Sequence, residues 1–136
     1  MSRRYLLDSG PVSDFLFKRN GVDTRVEQAK QSGAKIGICI PVLGEILGGL
    51  EASASRDTSI AIARRSFAKL ICWPYDHAAA YEYGRVYAER KKRGRVIQQI
   101  DKQIAAIALT LGNCTVVSYD AHLSEVSGLS VENWAP

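Results

Sequence analysis

"RRYLLDSGPVSDFL", residues 3–16, decides the architecture. Tyr5, Leu6 and Leu7 form a short apolar run of the kind that makes a buried strand. The run stops at an acid, Asp8, followed by Ser9 and Gly10. Pro11 then opens a helix, because its missing N–H would be unpaired in a first turn anyway. In an open parallel sheet, ligands bind beyond the carboxyl ends of the strands. A plain turn needs no carboxylate there, since Asn or Ser serves equally well. Asp8 becomes informative only if other acids come to meet it.

Outward from this stretch the alternation repeats. Strands are expected at residues 4–7, 36–40, 115–117 and 130–132, and helices at 11–19, 22–31, 41–51, 58–70, 76–93 and 100–111. Asn20-Gly21, Gly33 and Gly94 are stop signals, Pro41 repeats the opening device, and Asp76 is a candidate cap. Short strands separated by helices imply an α/β layer fold with a mostly parallel sheet. A length of 136 residues with 46% hydrophobic content fits one domain over residues 1–136 with a proper core.

Eighteen Lys plus Arg against fourteen Asp plus Glu leave a net charge of +4, compatible with an anionic partner. Cys39, Cys72 and Cys114 are far apart and form no CxxC, which excludes a zinc or thioredoxin-like reading and suggests buried free thiols in a reducing compartment. The chain enters a strand directly, and no apolar run approaches the ~20 residues of a membrane helix. The expectation is a cytoplasmic protein with no membrane association.

Three further acids fall where the crevice should lie. Glu45 is in the first turns of the helix after the second strand, Asp120 follows "TVV" by two residues, and Asp101 starts the last helix. Taken singly, Asp8 is a turn or cap residue, Asp101 a favourable charge on a helix dipole, Glu45 a solvated helix residue and Asp120 a turn opener. Jointly, four carboxylates on one rim repel one another and call for a cation. Hard oxygen ligands select Mg²⁺ or Mn²⁺, and such a site suits phosphodiester hydrolysis. Asp14, Glu27, Glu51, Glu82 and Glu89 read as solvated helix faces. His77 reads as surface, and His122, near Asp120, as at most a minor substrate contact.

At this point the sequence resembles the PIN-domain ribonucleases, and within them the VapC-type toxins of toxin–antitoxin pairs. "YLLDSGPVSDFL", "ICIPVLGEILGGL", "DKQIAAIALTLG" and "CTVVSYDAHLSEVSGLSVENW" carry the likeness across nearly the whole chain. The resemblance implies a three-layer fold and a single-strand-selective endoribonuclease using Mg²⁺ or Mn²⁺. It implies Asp8, Glu45, Asp101 and Asp120 as the catalytic, metal-binding quartet, and Ser118, the hydroxyl residue before the last acid, as a substrate-binding residue. It also implies a homodimer and a VapB-type antitoxin as partner. Gly10 stands where the family commonly has Asn, and Leu123 where Phe is common; the first departure bears on how firmly Asp8 is held. The alternative reading is a catalytically silent RNA-binding PIN module. A receiver-like phosphoacceptor also clusters acids beyond parallel strands, but it would need a strict five-fold βα alternation.

"ERKKRGR", residues 89–95, places Arg90, Lys91, Lys92, Arg93 and Arg95 just before Asp101. Cations favour a helix C-terminus, which accounts for one or two of them. The run is assigned to substrate binding, gripping the RNA phosphate backbone without reading bases. Tyr119 is a candidate for base stacking and Tyr75 a core aromatic. Phe15, Leu16 and Phe17 are consecutive, so at least one is expected to face a partner.

Overall fold

A computed structural model describes residues 2–95 and 97–136. Strand β1, Arg4–Leu7, is the centre of a five-stranded, all-parallel sheet. Leu6 and Leu7 are fully buried, as befits a parallel strand with both faces covered by helices. On one side β1 pairs with β2, Lys35–Cys39, with Tyr5 opposite Ile36; on the other it pairs with β4, Cys114–Val117, with Tyr5 opposite Thr115. The edges are β3, Ile71–Trp73, beside β2, and β5, Ser130–Glu132, beside β4, giving the order β3-β2-β1-β4-β5. The chain proceeds from β1 to one edge and then returns to the other side of β1. The order therefore reverses at the β1–β4 boundary, where an α/β sheet opens a crevice.

Two helices follow each of the first three strands. They are α1, Ser9–Leu16, and α2, Val22–Gln31; α3, Ile40–Glu51, and α4, Arg56–Phe67; α5, His77–Lys92, and α6, Gln99–Leu111. This doubling excludes the receiver-like alternation. Leu6, Ile36, Ile38 and Val116 of the sheet and Ile104 and Ile107 of α6 are all nearly or fully inaccessible and form the centre of the core. Among the described residues no helix is long and apolar enough to cross a membrane.

The structure corrects several boundaries. Helix α1 starts at Ser9, two residues before Pro11, because the Asp8 side chain accepts from the Ser9 N–H and caps it. Helix α4 ends at Phe67, and β3 is a strand that no periodicity announced. Three residues on an edge are too few to show alternation. Its place is prepared elsewhere: a Cβ on Gly37 of β2 would lie 2.6 Å from both the Ile71 carbonyl oxygen and the Trp73 ring. Only glycine lets β3 approach so closely. Edge placement also exposes Cys72, against the expectation of a buried thiol, whereas Cys39 is buried and Cys114 half-buried. Burial pushes the Cys39 thiol up to about 12 and the Cys114 thiol to about 11, which keeps both in the neutral thiol form near pH 7.

Candidate active site

The backbone delivers the first acid directly. The Asp8 N–H donates to the Val117 carbonyl at 2.9 Å, so the β1–β4 ladder runs on to the position where the carboxylate emerges. Asp8 Oδ1 accepts from the Ser9 N–H at 2.7 Å and Oδ2 from the Ser118 hydroxyl at 2.8 Å. Cap and candidate ligand are thus one residue: the capping bond fixes the carboxylate at the crevice.

Asp8, Glu45, Asp101 and Asp120 all line one cleft of roughly 560 Å³ at the switch point, with Gly10, Ile97, Gln98, Tyr119 and His122 on its walls. Asp8 and Asp101 are buried, Asp120 is half-buried and Glu45 is exposed. Asp101 sits in the first turn of α6. Burial, reinforced by the charges of Asp8, Asp120 and Glu45 and by a hydrogen bond with Asp120, raises its carboxyl from 3.8 to about 6. The donors are all hard oxygens, partly withdrawn from water, which suits Mg²⁺ or Mn²⁺ and no soft metal. They line the cleft as mutually repelling charges do. Among the described residues no three His, Cys, Asp or Glu side chains are closed into a ready cage.

Ser118 is corrected from a substrate contact to a positioning residue. It is 2% exposed, donates to Asp8 and accepts the Asp120 N–H at 2.9 Å. One hydroxyl therefore ties two of the four acids together and is spent on bonds within the protein. Asp120 in turn caps the short 3-10 turn Ala121–Glu125 by accepting the His122 N–H at 2.9 Å.

Asp14, expected on a solvated face, is instead 6% exposed. Its carboxylate accepts from the Tyr119 hydroxyl at 2.6 Å, Asn20 Nδ2 at 2.8 Å and Arg19 Nε at 3.1 Å. Burial opposes its charge, yet the three hydrogen bonds and the Arg19 charge hold its pKa below the usual value. Tyr119 is thereby anchored, and burial with the Asp14 bond raises its phenol to about 12. Its ring lies where a side chain at position 10 would be, 2.9 Å from a Cβ placed on Gly10. Tyr119 fills the space that a side chain at position 10 would take, while Asp8 is held by the Ser9 N–H and the Ser118 hydroxyl. The one local signal was Asp14 bordering the buried stripe of Val12, Phe15 and Leu16; its partner lies 105 residues away.

Arg90 is also corrected. It is 3% exposed and its Nη1 donates to the Glu125 carbonyl at 2.8 Å, so it braces the 3-10 turn instead of reaching solvent. Lys91, Lys92, Arg93 and Arg95 of the same run are exposed.

The PIN domain family model matches residues 5–129. The chain is 26% identical over 132 residues to the tRNA(fMet)-specific endonuclease VapC of Shigella flexneri, covering 97% of this chain and 98% of that one. It is 27% identical over 131 residues to ribonuclease VapC2 of Haemophilus influenzae, covering 96% and 98%. Two solved structures share the fold with a TM-score of 0.89: VapBC2 from Rickettsia felis bound to a promoter DNA fragment, at 21% identity over 96% of this chain and 98% of that one, and DNA-bound VapBC from Salmonella typhimurium, at 23% over 99% and 100%. With four acids at the switch point of a parallel sheet and a family match spanning nearly its whole length, this chain belongs to the PIN domain family.

Proposed function

We propose that this protein is a metal-dependent endoribonuclease acting as the toxin of a VapBC-type toxin–antitoxin pair. The observation that carries the reading is the convergence of Asp8, Glu45, Asp101 and Asp120 on one cleft. These carboxylates hold Mg²⁺ or Mn²⁺, which when bound activates water and offsets charge on the phosphate. Ser118 and the Ser9 N–H fix the Asp8 carboxylate, and the His122 N–H fixes Asp120. Lys91, Lys92, Arg93 and Arg95 supply the positive field that draws the RNA backbone towards it.

A VapB-type antitoxin and a second copy of the chain are the partners this reading requires, in the cytoplasm. The exposed Phe17, and separately the exposed Ile40 with half-buried Leu43 and Leu47 on α3, offer apolar surface for them. The relatives' names support the ribonuclease activity.

The test is RNA cleavage by purified protein with Mg²⁺ or Mn²⁺, beside Asp101→Asn prepared identically. Cleavage by the parent that disappears in the variant and with chelator is expected. Equal cleavage by both would expose a contaminating nuclease. RNA binding without cleavage by the parent, on the same RNAs, would point to a silent binding module.

A further inference from the structure

Beside the acidic cleft is a second concavity of opposite sign, about 320 Å³, lined by Tyr87, Arg90, Lys91, Arg95, Ile97 and Lys102. Four of its six lining residues are cations and none is an acid. Gathering like charges in one hollow is unfavourable unless an anion enters it. Inside the protein the compensation is partial: Arg90 donates to the Glu125 carbonyl and lies near the Glu89 and Glu125 charges, and Arg95 Nη1 stands 3.9 Å from Glu125 Oε1. Lys102 Nζ, by contrast, has the Tyr87 ring at 4.6 Å and the Tyr83 ring at 5.7 Å, and no ion pair is seen for Lys91 or Lys102 among the described residues. Arg90, in the wall, has its Nε buried without a hydrogen-bond partner among the described residues.

Ile97 lines both hollows, and the neighbours Asp101 and Lys102 on α6 line one each. Side by side, one hollow suits a cation and the other an anion, and a nucleic acid strand being cut needs both. The end of α5 also divides the basic run: Lys91 in its last turn and Arg95, which follows Gly94 with its φ of +68°, both line the hollow, while Lys92 and Arg93 are not among its lining.

We propose that the pocket formed by Tyr87, Lys91, Arg95 and Lys102 holds a phosphodiester group of the single-stranded RNA whose neighbouring bond lies in the acidic cleft. This rests on the ribonuclease reading and deepens it: the run acts through two of its cations, joined by a third from α6.

The test measures equilibrium binding of a labelled single-stranded RNA oligonucleotide against salt concentration, in an Asp101→Asn background that does not cleave. Lys91→Gln/Arg95→Gln is compared with Lys92→Gln/Arg93→Gln, which removes the same charge. The first pair should weaken binding and flatten the salt slope by about 0.7 for each phosphate no longer neutralised, and the second, which contributes only to the general positive field, should weaken binding less and change the slope less. Lys102→Gln should behave like the first pair. Equal weakening by both pairs would overturn the pocket in favour of diffuse attraction. Unchanged RNA binding in the first pair would overturn it too, leaving the hollow to an acidic protein segment. Cleavage by the parent, abolished by Asp101→Asn, is read separately. If it persists while the pairs behave alike, only the pocket falls; if the parent neither cleaves nor binds RNA, both readings fall.

Discussion

Ser118 shows how much one buried hydroxyl can organise. It donates to Asp8 and accepts from the Asp120 backbone, so Ser118→Ala leaves the Asp8 carboxylate with one fixed partner, the Ser9 N–H. On the metal-binding role proposed for Asp8, removing the hydrogen bond that orients its carboxylate costs roughly 10–100-fold in metal affinity or activity. That drop is expected in RNA cleavage, with Ser118→Thr restoring most of it. Gly10 and Tyr119 make a second, steric pair. The Asp14 bond holds the Tyr119 ring in place, so Gly10→Ala forces an overpacked contact costing about 1–3 kcal/mol in urea unfolding. In a Tyr119→Ala background the same change should cost little, and additive effects would show that the ring is not the obstacle.

At the scale of elements, β3 depends on what β2 lacks. Gly37→Ala brings a Cβ to 2.6 Å from a carbonyl oxygen and an indole ring, neither of which is a flexible chain end. The expected loss is about 3 kcal/mol, the upper part of the overpacking range, together with perturbed Trp73 fluorescence. Unchanged stability would mean that β3 is not seated on β2 as described. The three-residue strand is illegible in the sequence because its pairing is written in its neighbour's missing side chain. By contrast, α2 occupies the expected residues 22–31, since its stop signal at Gly33 is local and that glycine takes a φ of +91°.

The whole molecule balances two carboxylates with opposite pH signatures. Asp14 is held below its ordinary pKa, so its stabilisation is present above about pH 4 and lost as pH falls. Asp101 is raised to about 6, so the native protein takes up its proton before the unfolded chain does. Its contribution therefore turns unfavourable as pH rises through about 6. In the presence of chelator, the melting temperature should rise from about pH 7 towards about pH 5 and fall again below about pH 4. Asp101→Asn should flatten the first limb and Asp14→Asn the second. Mg²⁺ or Mn²⁺ should raise the melting temperature at about pH 7 in the parent more than in Asp101→Asn, because a ligand that binds only the native state stabilises it.

The sequence by itself determined the α/β class, most element positions, three acids at or just beyond strand ends, and a fourth that opens the last long helix. Each of these is announced by local periodicity, caps and breakers, or by a motif of a few neighbouring residues. Tertiary structure alone decided which residues act together. It buried Asp14 under Tyr119 and made Ser118 a tie between two acids. It turned Arg90 inward and gathered Lys91 and Arg95 with Lys102 while leaving Lys92 and Arg93 aside. The physical reason is that the partners that fix Arg90, Asp14 and Ser118, namely Glu125, Tyr119 and Asp8, lie 35 to 110 residues away, and no local pattern in a chain records who those partners will be.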